Sequence, residues 1–196
     1  MSIHKNFLLA ALFTCSVLPA QTQTIRGKVE NVRNTTNRFF LDCTTIPVVS
    51  RNLNLNLLVG QHSILSVANV GTPTSPVLDV RAATPTVKVF DMGNLILNKS
   101  GRWSVNGTPG SIAVVFLTAT PQTGYLPLGP AGAWFLGLSV APIAGGVIAS
   151  HGQFGFSILM PNLPGLVGKS FSGQAATVTG RSFLLSNPDC RAVRSR

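Results

Sequence analysis

The chain has 196 residues, 10% of them charged and 45% hydrophobic, with a formal net charge of +10. That balance is too apolar for a disordered chain, and the 19 Gly and 13 Pro, falling between short apolar runs, exclude a helical bundle. The length suits one large domain or two small ones, and the basic excess favours contact with polyanions.

The chain starts with one lysine in Met1–Lys5, continues with the apolar run Phe7–Val17, and reaches a small residue at Leu18-Pro19-Ala20. This is the pattern of a signal peptide over 1–20, with the mature chain beginning at Gln21. The apolar run is shorter than the roughly 20 residues of a spanning helix, and Phe13-Thr14 before Cys15 fits a lipoprotein signal poorly. Later, the apolar region 131–148 is broken by Gly132, Gly137, Pro142, Gly145 and Gly146, so it reads as two strands and a turn. The mature chain is therefore expected to lack a membrane span and to be secreted, periplasmic or extracellular.

After the polar lead-in at 21–24, Ile25, Gly27 and Val29 alternate with Arg26, Lys28 and Glu30, the period of a half-buried strand. Asn34–Asn37 reads as a turn and Arg38–Asp42 as a second strand. Thr45–Ser50 follows, with Pro47 marking an edge or bulge. Asn52–Leu58 alternates Asn with Leu. The period says strand, but Asn is a poor strand former, and a loop with Leu side chains plugging a barrel end is the alternative. His62–Val70 and Val77–Ala83 complete about five short strands, a count that suits a small barrel of the OB type. An extension of the later sheets is the other reading. The expected division is 21–86 for this barrel or sheet, 87–190 for a second domain and 191–196 for a basic tail.

Between Asp91 and Asp189 the sequence holds no carboxylate. Phe90–Leu97 and Arg102–Val105 lead into runs such as SIAVVFLTA, GAWFLGLSV, QFGFSILM and SFSGQAATV, separated by Gly/Pro turns. That spacing predicts a β-sandwich, of jelly-roll or immunoglobulin-like type. Asn162–Val167 reads as one helical turn. The expected fold is all-β, a small barrel or sheet followed by a sandwich.

Several segments of the second half form an ordered pattern: Gly107-Thr108-Pro109-Gly110-Ser111, Leu126-Pro127-Leu128, Gly152–Ile158, Pro161–Gly168, Gly173-Gln174-Ala175 and Leu185-Ser186-Asn187. Over 107–187 this resembles the C-terminal β-sandwich module of uncharacterised secreted proteins of planctomycete-type bacteria, with Met160 in place of the usual Ile before Pro161. The resemblance implies a sandwich and export, and it carries no activity.

Few residues have the makings of a site. The two mature cysteines, Cys43 and Cys190, are expected to form a disulfide. His62 and His151 stand apart from any recognisable triad, and the carboxylates have neither the pairing of a glycosidase nor the clustering of a calcium site. Asp42 and Asp79 are expected to pair with Arg38 and Arg81. Two Cys and two His scattered along the chain do not make zinc spacing, and no phosphate loop is present. No cofactor, metal or catalytic residue is assigned. Arg26, Lys28, Arg33, Arg38 and Arg51 are candidate anion-binding residues, with Arg26 and Lys28 forming a stripe on one strand face. Trp103 and Tyr125 are candidate sugar contacts, whereas Trp134 is expected in the core. The expected function is a secreted, non-catalytic structural or interaction module of a bacterial cell envelope or extracellular space, its partner an acidic polysaccharide or another envelope protein. The alternatives are a carbohydrate- or polyanion-binding protein and, third, a secreted hydrolase.

Overall fold

The computed structural model describes residues 22–32, 38–119 and 124–195. The expected signal peptide, Arg33, the turn Asn34–Asn37 and Arg196 lie outside the described residues. Strands β1 (Gln23–Asn31), β2 (Phe39–Leu41), β3 (Pro47–Val49), β4 (His62–Asn69) and β5 (Leu78–Pro85) close into a barrel in the order β1-β2-β3-β5-β4. All its pairings are antiparallel except that of β3 with β5. This is the OB-type barrel expected from the strand count. The period-two pattern of β1 drives it: Ile25 and Val29 are 1% exposed and pack with Leu41, Val48, Leu65, Val67, Leu78 and Val80. Gly27 lets β2 close on this face, because a Cβ there would sit 2.4 Å from Leu41 Cδ1.

The Asn/Leu run does not form a strand. It makes a 3₁₀ turn, Leu55–Leu57, capped by the side chain of Asn54, which accepts from Asn56 N at 3.1 Å. Leu55 is buried in the barrel core, with Leu53 and Leu58 packed against it, while Leu57 is 70% exposed. Leu side chains thus plug the barrel end, and the strand reading of this run is corrected.

The second half adds β6 (Phe90–Asp91), β7 (Ser100–Asn106), β8 (Ile112–Thr118), β9 (Leu126–Pro127), β10 (Ala133–Trp134), β11 (Ala141–Val147), β12 (Gln153–Leu159), β13 (Ser170–Thr179) and β14 (Ser182–Ala192). One sheet has the order β12-β7-β6, the other β11-β8-β13-β14, and every pairing is antiparallel. Seven strands in a three-plus-four sandwich are of immunoglobulin-like type, not an eight-stranded jelly roll. Between the sheets lie Phe90, Trp103, Val105, Val115, Ile148 and Ala175. Phe90–Leu97 forms a strand only over β6, and Pro164–Leu166 forms the one expected helical turn, as 3₁₀. Residues 191–194 are no free tail: Arg191 lies in β14, Val193 is buried in the sandwich core, and Arg194 bridges to Ile96.

The β9–β10 hairpin ties the second half of the chain to the barrel. It belongs to the chain between β8 and β11, yet Ala133 and Phe135 pack in the barrel core. Gln174 on β13 holds it there. Its buried amide accepts from Phe135 N at 3.0 Å and donates to Ala133 O at 2.8 Å and Ser186 O at 3.0 Å. Trp134 stacks edge-on against Phe116, ring centroids 5.1 Å apart. On β14, Asn187 accepts from Val89 N and Phe90 N and donates to Phe90 O, clipping β6 to that strand. No described helix is long and apolar enough to cross a membrane.

Candidate functional site

The β2–β3 turn places Cys43 in a left-handed conformation (φ 61°), and Thr44 steadies the turn by donating from its hydroxyl to Leu41 O at 2.7 Å. Cys43 is bonded to Cys190 of β14, across 147 residues, as expected. Around this link the charges are paired. Lys28 contacts Glu30 at 2.6 Å and Asp42 at 3.1 Å. Lys88 bridges Asp91 and Asp189, and Arg191 reaches the same two carboxylates. Asp189 is 2% exposed and also accepts from Met92 N at 2.7 Å and Cys190 N at 3.0 Å. Asp79 pairs with Arg81 at 3.8 Å. All five Asp and Glu side chains are therefore in ion pairs. Asp42 takes Lys28, not Arg38, because β1 and β2 are neighbours and the Asp42 N–H donates to Lys28 O at 2.8 Å. Asp42, Cys43 and Cys190 present ligand-type atoms within 4.8 Å of one another, but sulfurs joined in a disulfide offer no thiolate to a metal.

These pairings split the candidate basic stripe. Burial pulls the Lys28 ammonium down, but its bonds to Glu30 and Asp42 outweigh that and its pKa ends above the usual lysine value. Lys28 is thus held by carboxylates and is not a free anion contact. Arg26, on the same face of β1, has no carboxylate partner among the described residues: its guanidinium is half-buried, which lowers its pKa, and it donates to Leu185 O at 3.4 Å. Arg38 and Arg51 are exposed.

Of the candidate sugar contacts, Trp103 is 1% exposed, packed between Phe90 and Phe156 at ring-centroid distances of 6.0 and 5.7 Å. It points into the sandwich because β7 alternates Gly101, Trp103 and Val105 inward, so it is unavailable to a ligand. Trp134, expected in the core, is only partly buried and donates to Gly137 O at 2.6 Å. Tyr125 does stand at a cleft. This space of about 710 Å³ lies between the barrel and the hairpin and is lined by Thr22, Gln23, Thr24, Asn69, Pro73, Tyr125, Leu126, Pro127, Gly129 and Pro130. The Tyr125 hydroxyl donates to Gln23 Oε1 at 3.0 Å, and Gln23 Nε2 donates to Gly132 O. Gly132 takes φ 103°, which a side chain would oppose. Burial raises the Tyr125 pKa, so the phenol is neutral and both donates and accepts. Three prolines and a leucine beside one ring, with Thr, Gln and Asn groups around them, can hold a ligand that has both apolar and hydroxyl faces. Gln23, Asn69 and the hairpin prolines were not candidates in the sequence, where each looks like an ordinary turn or strand residue.

His62 opens β4 beside Lys28, and its Nδ1 is buried without a hydrogen-bond partner. Burial, followed by the charges of Lys88 and Lys28, lowers its pKa. No described hydroxyl or carboxylate bonds to it. His151 sits exposed in the turn before β12. No family model matches this chain, and no match was found among curated proteins or solved structures.

Proposed function

We propose that this chain is an exported, non-catalytic interaction module of the cell envelope or extracellular space. The observation that carries the reading is that every side-chain carboxylate is engaged with Lys or Arg. A hydrolase needs an acid and a base free to move protons, and the ion pairs here join strands and hold the turn that carries Cys43. The disulfide supports an oxidising compartment. An exposed apolar row in register across the four-stranded sheet (Val147, Ile112, Val178 and Phe183) supports contact with another molecule. The test is a panel of glycosides, esters and peptides offered to the secreted protein. No turnover is expected; turnover lost on His62→Ala or His151→Ala contradicts the reading.

A second, compatible reading is saccharide binding, favoured by the cleft at Tyr125. Binding that weakens at least about tenfold in Tyr125→Ala, a change on the order of 1.4 kcal/mol, supports it. Unchanged binding in that variant places the ligand elsewhere.

A further inference from the structure

The Tyr125 cleft does not end at the hairpin. A smaller space of about 80 Å³ shares Thr24 and Pro130 with it. That space shares Arg26 and Leu184 with a second cleft of about 570 Å³ between the barrel and the sandwich. Thr22, Thr24 and Arg26 alternate along one face of the chain entering and following β1, so the three spaces form one groove beside the strand. At about 3.3 Å per residue, the distance from Thr22 to Arg26 is about 13 Å. The groove has an aromatic ring and prolines at one end and a guanidinium at the other.

The geometry points to an acidic oligosaccharide as the ligand of this groove, with the apolar face of one sugar ring against Tyr125 and a carboxylate at Arg26. The inference rests on the saccharide reading and adds the charge and the direction of the ligand. Arg26 is the reason for the charge. Half-burying a guanidinium removes water from it, and elsewhere in the junction each such loss is met by a carboxylate; Lys28, Lys88 and Arg191 all have one. Among the described residues Arg26 has a single long bond, to a carbonyl, which leaves most of its donors for a planar anion. The walls around it suit a sugar acid better than a bare anion. The Thr86 and Thr108 hydroxyls make no hydrogen bond with any described residue, and Val87, Val89 and Leu184 supply apolar surface. A surface site for nucleic acid or sulfated chains would instead need several free cations together, and on this strand Lys28 is already neutralised.

The experiment uses the full mature chain, a galacturonate trimer and its fully methyl-esterified counterpart, titrated calorimetrically at low and high salt. The acid is expected to bind about tenfold more tightly than the ester, in keeping with one charge-assisted contact. The preference should persist at high salt, since a half-buried pair is screened little. Arg26→Gln should remove the preference and leave the ester's affinity unchanged. Equal binding of acid and ester, or a preference untouched by Arg26→Gln and removed by salt, overturns the inference while sparing the saccharide reading. Binding of neither ligand overturns both. The wild-type amide shifts give an independent readout that needs no variant: Thr22, Thr24 and Arg26 should all move with the acid, and Arg26 should stay still with the ester.

Discussion

Replacing Gln174 by Leu should detach the hairpin that carries the Tyr125 cleft. The two side chains have similar volume, so the change removes polar contacts and leaves little void. Gln174 is 0% exposed, and its amide serves Phe135 N, Ala133 O and Ser186 O. Phe135, Ala133 and Ser186 are themselves 2–3% exposed, so water does not readily replace the lost bonds. An orphaned buried group costs about 1–3 kcal/mol, so three of them come to at least about 3 kcal/mol. For a chain of this size each kcal/mol shifts Tm by about 2–4 °C, and the expected fall is on the order of 10 °C. Thermal unfolding followed by circular dichroism, with the disulfide intact, measures it. Saccharide affinity should fall in the same variant at temperatures where it remains folded, because Tyr125 loses its support. A Tm within about 2 °C of the parent would refute the reasoning, and would mean that Phe135 and the Phe116–Trp134 contact hold the hairpin without the amide.

Thiol titration of purified residues 21–196 in denaturant should find no free thiol until reductant is added, after which Cys43 and Cys190 both react; two free thiols without reductant contradict the bond. Reduction should destabilise by up to about 5 kcal/mol, the chain-entropy value for a loop of this length, read as a loss in denaturant midpoint. His62 has a folded pKa below its ordinary value of 6.5, so the unfolded chain takes up its proton first. Stability should therefore fall as pH drops below about 6.5 and level off once the folded His62 also protonates; His62→Gln should flatten that part of the profile, and an unchanged profile refutes the assignment. Gly27→Ala should destabilise by roughly 1–3 kcal/mol, the usual range for overpacking, since its Cβ would sit 2.4 Å from Leu41 Cδ1; an unaltered midpoint means β2 can yield there.

The barrel was legible because its strands alternate cleanly. Ile25, Gly27 and Val29 face one way in the sequence and inward in the structure. Asn52–Leu58 misled because its period matches a strand, while the Ser50 and Asn54 side chains take backbone N–H groups of the run, which forms a 3₁₀ turn. The tryptophans were exchanged for a related reason: Trp103 beside Arg102 looks exposed and Trp134 inside GAWFLGL looks buried, but strand phase decides for Trp103 and the hairpin's position decides for Trp134. Lys28 and Arg26 look equivalent on β1, and the neighbouring Glu30 and Asp42 separate them. Gln174, Ser186 and Asn187 stood out in the ordered pattern of the second half without a physical role. Each proves to be a buried polar residue bonded to backbone groups, a role that requires the fold to be known. The groove was hidden because it joins Thr22–Arg26 to residues more than a hundred positions away.

The most direct test of the account is a screen of the purified protein, as wild type and as Tyr125→Ala, against an array of neutral and acidic oligosaccharides, with the products analysed for cleavage. The account predicts that wild type retains acidic oligosaccharides uncleaved and that Tyr125→Ala loses them. Retention of none of the array by wild type, or cleavage of the retained chains, would contradict it.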